Sequence, residues 1–272
     1  MRIVRIDGSD DPRVSAYHAV RDAALVRERD LFVAEGRLVV ERLIGEGRFA
    51  IQSILLNEAA FRAVEPALSA LPPDVPVYVC AAGDFPGITG YDVHRGCLAL
   101  AARPASPSLD VLLQHARTVV VLDGVTNADN VGGVFRNAAA FDVDAVLLDA
   151  SSCDPLYRKA IRTSMAATLR VPFARLGDQT SGWTAALAGL KDRGFTLVAL
   201  TPVESARDLD EFAASERPDK FALLLGSEGP GLSAASEAIA DHRVRIPIRP
   251  AVDSLNLAVA AGIALHRLTR LS

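Results

Sequence analysis

After residue 117 the chain repeatedly gives an uninterrupted run of positions to apolar side chains. The runs are "TVVVLDG" from Thr118, "DAVLLD" from Asp144, "FTLVAL" from Phe195 and "KFALLLG" from Lys220. A strand that alternates apolar and polar residues can leave one face in water; a continuous run must be buried on both. Helical patterns stand between these runs, at Asn127–Ala138, around Leu156 to Met165, and at Gly182–Asp192. Two further strands, "LRVPFA" and "HRVRIPI", and a final helix from Ser254 to about Arg270 complete the series. Strands alternating with helices imply an α/β fold, a parallel sheet covered on both sides. There is no internal repeat and no low-complexity tract.

Upstream, the pattern is looser. Asp11–Arg29 has helical spacing through Val14, Tyr17, Val20, Ala24 and Leu25, and "FVAEGRLVVERLIGEG" reads as strand, turn at Gly36, and helix stopped by Gly45 or Gly47. "IQSILL", "VPVYVC" and "GCLALAA" read as strands. The stretch "AARPASPSLD", Ala101–Asp110, concentrates proline and serine and reads as a linker. The expected organisation is therefore a small α/β domain over 1–103, a linker over 104–112, and a larger domain over 113–272.

Composition narrows the functional classes. No apolar run is long enough to cross a bilayer, and the start "MRIVRIDGSDDPR" lacks a signal-peptide core, so a cytoplasmic protein is expected, with no membrane partner. Cys80, Cys97 and Cys153 form no CxxC pair; His18, His94, His115, His242 and His266 occur singly; no metal site is expected. Trp183 reads as a packing residue. The net charge of −4 argues against a protein that coats nucleic acid, but a local basic face is compatible with it. Lysine occurs only at Lys159, Lys191 and Lys220, so the positive charge is almost all arginine, as codon bias or planar phosphate recognition would each give.

Three stretches carry chemistry. In "NADNVGGVFRNA", Asn127–Ala138, Asn130 can cap the helix and Gly132 and Gly133 then fall in its first turn. Two glycines cost a helix about 1 kcal/mol each against alanine. They are explained either by an anionic ligand approaching bare backbone beside Arg136, or by close helix packing with Arg136 in an ion pair. In "LLLGSEGPGLS", Leu223–Ser233, a strand enters a glycine-rich loop that matches no phosphate-binding fingerprint, and Glu228 would repel a phosphate. The loop suits a neutral or cationic group, or is a simple turn. In "IPIRPAVDSLNLAVAAGIALH", Ile246–His266, Asp253 or Ser254 can cap a helix that is apolar nearly all round, hence buried in the domain or in a subunit interface. Capping accounts for Ser254 better than for Asn256.

The ordered set resembles the three motifs of the SpoU (TrmH-like) family of RNA 2′-O-ribose methyltransferases, in the SPOUT superfamily, over about Thr118–His266. The segment before the linker resembles, more loosely, the ribosomal-protein-like RNA-binding domain of many members, through "FVAEGRLVVERL" and "VHRGCLALA". The resemblance implies a carboxy-terminal trefoil knot, a homodimer, and S-adenosylmethionine held at Leu200 or Thr201, Gly226, Ile246 and Leu255. The family's catalytic positions fall on Asn130, Arg136, Glu228, Ser254 and Asn256. Pro250 stands near a place where many members have glycine, which bears on the shape of the cofactor loop. The implied activity is 2′-O-methylation of RNA, ribosomal RNA ahead of transfer RNA. The rivals are a catalytically silent RNA-binding protein, which retention of Arg136, Ser254 and Asn256 argues against, and a small-molecule α/β enzyme, which would not need the front domain.

Overall fold

The four apolar runs become the centre of a seven-stranded sheet. The computed structural model describes residues 2–18, 22–90, 93, 96–177, 182–249 and 251–269; Val20, His94, Pro250 and Arg270, singled out above, lie outside the described residues. The described chain forms two compact units, Met1–Ala105 with Pro155–Leu169, and Ser106–Asp154 with Arg170–Ser272.

The first unit contains β1 (Arg2–Arg5), α1 (Asp22–Glu28), β2 (Leu31–Glu35), α2 (Arg37–Glu46), β3 (Ile51–Asn57), α3 (Glu58–Leu68), β4 (Pro76–Cys80), α4 (Phe85–Thr89) and β5 (Cys97–Ala102). Its five-stranded sheet runs β1-β4-β3-β5-β2, parallel at β1–β4 and β4–β3 and antiparallel at β3–β5 and β5–β2. Of the two glycines that could stop α2, Gly47 does so in the left-handed conformation, φ 62°. The helix expected over Asp11–Arg29 is instead a 3₁₀ turn, Pro12–Tyr17, followed by α1. Asp11 caps that turn through Arg13 N at 2.9 Å, and Val14 and Tyr17 fill the core with Leu25, Leu55 and Leu98. Tyr17 is buried with its hydroxyl 2.8 Å from Ser53 Oγ, and burial drives its phenol well above the usual range.

The second unit contains α5 (Leu109–Leu113), β6 (Thr118–Asp123), α6 (Ala128–Ala140) and β7 (Ala145–Leu148). The chain then supplies α7 (Arg158–Thr163) to the first unit and returns as β8 (Phe173–Arg175), α8 (Trp183–Asp192), β9 (Thr196–Leu200), β10 (Arg207–Asp208), α9 (Leu209–Ser215), β11 (Phe221–Gly226), α10 (Ala234–Ile239), β12 (His242–Arg245) and α11 (Leu257–Leu268). The strand order is β10-β12-β9-β11-β6-β7-β8, and every pairing is parallel. Val119, Val121, Leu147, Leu197 and Leu224 build one face of the core together with Leu187, Leu190 and Phe195.

Two boundaries differ from the sequence reading. Residues 109–113, mostly inside the expected linker, form α5, because Ser108 caps a short helix whose Leu113 is buried in the second unit's core. The segment Pro155–Leu169, expected in the second domain, belongs to the first unit. There Arg158 Nε meets Asp22 Oδ1 at 2.7 Å, Arg162 lies 3.5 Å from the buried Glu35, and Arg42 donates to the carbonyl of Met165.

Candidate active site

Because all seven strands run the same way, β9, β11 and β12 release their chains at one edge of the sheet. Open α/β sheets place ligands at such carboxyl ends. A cleft of about 540 Å³ lies there, a volume suited to a small organic ligand. Its walls are Leu200 and Thr201 after β9, the Gly226–Gly231 loop after β11, Ile246 and Ile248 after β12, and Asp253–Leu257 leading into α11. All five residues expected to bind a cofactor, Leu200, Thr201, Gly226, Ile246 and Leu255, are among them, as are Glu228, Ser254 and Asn256.

The glycine loop is folded on itself. Ser227 and Gly231 exchange backbone hydrogen bonds at 3.1 and 3.0 Å, with Gly229 at φ 86° and Gly231 at φ 75°, where side chains are strained. The return limb lies directly on Gly226: a Cβ there would sit 2.1 Å from Gly231 C and 2.2 Å from Leu232 N. The loop therefore offers main chain and a carboxylate, not a nest for phosphate.

Asn256 joins the motifs. Its Oδ1 accepts from Ala258 N at 3.0 Å and Val259 N at 3.3 Å, capping α11, while its Nδ2 donates to Asn130 Oδ1 at 3.0 Å and Glu228 Oε1 at 3.2 Å. The cap of α11 is thus Asn256 rather than Asp253 or Ser254, and the helix starts at Leu257. Asn130 is only 3% exposed, and its Nδ2 has no hydrogen-bond partner among the described residues. A buried donor left unpaired costs about 1–3 kcal/mol.

The first motif departs from the expected trough. Asn127, not Asn130, caps α6 through Asp129 N at 2.8 Å, so Gly132 and Gly133 fall in the second turn, where the helix uses its own N–H groups. Gly133 faces α11: an added Cβ would lie 2.5 Å from the Cβ of Ala258. Asn137 Nδ2 donates to Ala258 O at 2.6 Å, one turn further along the same contact. Close helix packing therefore explains Gly133. Arg136 is exposed, makes no ion pair among the described residues and does not line the cleft of this chain.

Sequence reasoning missed other parts of this edge. Asp123, which ends β6, accepts from Ser233 N, Ser233 Oγ and Ser236 Oγ at 2.9, 2.7 and 2.6 Å. Trp183, expected only to pack, also donates from Nε1 to Ser236 Oγ at 2.7 Å. A carboxylate at the end of a buried strand was the available signal. Asp149, after β7, is gripped by the N–H groups of Gly124, Ser151 and Ser152 at 2.9–3.0 Å and by both serine hydroxyls. Burial raises its pKa, but these hydrogen bonds outweigh burial and leave it below the ordinary 3.8. The three cysteines are buried, and none forms a disulfide among the described residues. Among the described residues there is no cluster of three or more His, Cys, Asp or Glu suited to a metal, and no helix long and apolar enough to cross a membrane.

A parallel α/β sheet with a cleft at its carboxyl edge, and an amide–carboxylate cluster at the mouth, is the arrangement in which open α/β proteins bind small ligands. The sequence pattern of the SpoU rRNA Methylase family matches residues 117–266. Over 265 residues the chain is 40% identical to an uncharacterized tRNA/rRNA methyltransferase of Mycobacterium tuberculosis, covering 96% of this chain and 90% of that protein. The chain belongs to the SpoU family of RNA methyltransferases. It is also 30% identical, over 162 residues, to a 23S rRNA (guanosine-2′-O-)-methyltransferase of Vibrio cholerae, covering 59% of this chain and 62% of that one. Among solved structures, the AdoMet-bound rRNA methyltransferase from Sinorhizobium meliloti shares the fold with a TM-score of 0.79 at 23% identity, over 98% of this chain and 97% of that one.

Proposed function

We propose that this protein transfers the methyl group of S-adenosylmethionine to a ribose 2′-hydroxyl of RNA, and of ribosomal RNA in particular. The observation that carries the reading is the cleft itself, where three separated motifs meet through the hydrogen bonds of Asn256 to Asn130 and Glu228. The residues fit the cofactor. Leu200, Ile246, Ile248 and Leu255 offer apolar walls for a flat base, main chain after Gly226 offers polar edges, and Glu228 and Asp253 suit a ligand carrying positive charge. When bound, the sulfonium supplies an electrophilic methyl group.

Asn130 and Asn256 hold the mouth of the cleft, and Ser254 on its rim hydrogen-bonds and positions. Asn130 Nδ2 is buried and has no hydrogen-bond partner among the described residues, so the part given to Asn130 is to hold Asn256 through its Oδ1. Arg136 stands ready for RNA on the outer side of α6. A guanidinium keeps its proton throughout the physiological range, so its part is to fix the adjacent phosphate and stabilise charge developing on the ribose oxygen, not to act as base. The residues before the linker form the RNA-binding domain, as the "FVAEGRLVVERL" segment suggests.

A homodimer and a knotted carboxy-terminal course belong to the same reading. Val259 and Ile263 leave 52% and 37% of their surface exposed on α11, as a face awaiting a second copy would. The knot is supported by β12 lying beyond β9 while the following segment returns to the β11 edge and α11 packs on α6. The V. cholerae relative favours ribosomal RNA over transfer RNA, and cytoplasmic action follows from either substrate.

The test is incubation of the protein with total RNA and methyl-labelled cofactor, followed by mapping of the labelled nucleotide. Label on a 2′-oxygen of ribosomal RNA is expected. Label on a base, or none, refutes the reading; label on transfer RNA reassigns the substrate. The Arg136→Ala variant should lose transfer at least about a hundredfold while binding cofactor as wild type does. An unchanged transfer rate removes Arg136 from the mechanism.

A further inference from the structure

We propose that Asp123 is a positioning residue: it fixes the glycine-loop wall of the cleft in its ligand-binding shape. The inference rests on the reading of that cleft as the S-adenosylmethionine site. Asp123 ends β6 directly opposite Gly226, where β11 stops and the loop begins. Asp123 is 9% exposed, and one carboxylate oxygen receives the N–H and hydroxyl of Ser233 and the hydroxyl of Ser236 at 2.6–2.9 Å. Ser233 stands two residues after Gly231, where the loop has turned back. The wall is therefore secured at two places: the Ser227–Gly231 pair closes the loop, and Asp123 ties its return limb to the end of the neighbouring strand.

Donor chemistry and distance together direct the protons of this cluster. Trp183 Nε1–H can only donate, so Ser236 Oγ accepts it and sends its own proton to Asp123. Ser233 Oγ accepts from Ser236 N at 3.3 Å, and its one proton goes to the nearer, charged Asp123 oxygen at 2.7 Å rather than to Ser236 Oγ at 3.1 Å. Three donors thus converge on one buried acceptor oxygen. Removing that oxygen leaves them unpaired at once, and the return limb loses its tie. The limb rests on Gly226 with no room to spare, so a displaced limb deforms the wall formed by Gly226, Ser227, Glu228 and Gly229. An amide can present one oxygen in the same place, which separates the need for an acceptor from the need for a charge.

The experiment is calorimetric titration of the full-length protein with S-adenosylmethionine, with circular dichroism of each variant. Asp123→Ala should weaken binding at least about tenfold, and Asp123→Asn should restore it to within about threefold of wild type. Trp183→Phe removes a donor on the far side of Ser236 and should bind within about twofold of wild type. Ser233→Ala keeps the backbone tie, loses the hydroxyl one, and should weaken binding by about threefold to tenfold; it carries the test if Asp123→Ala does not fold. The proposal is overturned if Asp123→Ala, or in its place Ser233→Ala, binds like wild type. It is also overturned if Trp183→Phe binds as poorly as Asp123→Ala, which would indicate general destabilisation. Failure of the wild type itself to bind S-adenosylmethionine overturns the assignment of the cleft rather than the role of Asp123 within it.

Discussion

Replacing Gly133 by alanine should force α6 and α11 apart, and removing the opposing methyl should undo the damage. The new Cβ would sit 2.5 Å from the Cβ of Ala258, against an ordinary contact of at least 3.4 Å, so the helices must separate by about 1 Å. Overpacking of this kind costs about 1–3 kcal/mol, while alanine returns up to about 1 kcal/mol of helix propensity. A net loss of about 1–2 kcal/mol is expected. The same movement stretches the Asn137–Ala258 hydrogen bond of 2.6 Å and draws Asn256, two residues from Ala258, away from Asn130. Ala258→Gly alone should cost less, about 0.5–1 kcal/mol, from a lost methyl and from glycine near a helix start. In the double variant the clash is absent, so the two changes should couple by about 1–3 kcal/mol in the stabilising sense. Equilibrium urea denaturation of the four proteins measures this directly, with thermal shifts of about 2–4 °C per kcal/mol as a check. Additivity within about 0.5 kcal/mol would mean that the glycine does not serve this contact, and that the explanation of the first motif given above is wrong.

Two further outcomes follow from the same edge of the sheet. Gly226→Ala places a methyl 2.1 Å from Gly231 C, and the backbone must yield by about 1.3 Å to reach ordinary contact, so the Ser227–Gly231 pair should open; cofactor affinity measured by calorimetry should fall at least about tenfold, and wild-type affinity would contradict the loop geometry. The depressed pKa of Asp149 means that its contribution to stability is full above the ordinary 3.8 and is lost as pH falls through the folded-state value. Asp149→Asn should therefore be less stable than wild type near about pH 7, with the gap narrowing as pH falls below the ordinary 3.8, whereas a gap in urea midpoints that stays constant as pH falls through the acid range would refute this linkage.

Much of the second unit could be read in advance because its central strands leave a sequence few options. Val119–Leu122 and Leu223–Leu225 are apolar on both faces, and only a doubly covered sheet satisfies them. β10 escaped notice because Arg207–Asp208 is two polar residues long and pairs only with β12. The cap of α6 was misplaced because Asn127 and Asn130 are chemically equivalent candidates; the choice depends on where the turn out of β6 ends. Likewise Asp253, Ser254 and Asn256 could each cap α11, and the structure selects the one that also reaches Asn130 and Glu228. The cleft-lining positions proposed for the cofactor were legible only through the ordered motifs, since nothing local in Leu200 or Ile246 distinguishes them from core. The partners of Asp123 lie 110 and 113 residues away, beyond any local pattern. The allegiance of Pro155–Leu169 was hidden for a similar reason: helical spacing shows that "LYRKAIRTSM" has an apolar side but not which core receives it.

That allegiance bears on how the protein can be cut. A fragment beginning at Ser106 would keep the whole seven-stranded sheet yet carry α7 with no surface to rest on, leaving Ile161 and Ala160 bare and Arg158 deprived of Asp22. The complementary fragment ending at Ala105 would lack the same helix and strand the carboxylate of Glu35 without Arg162. A cut near Ala105 therefore separates α7 from the unit that it packs in, and each fragment should be less stable than its part of the intact chain.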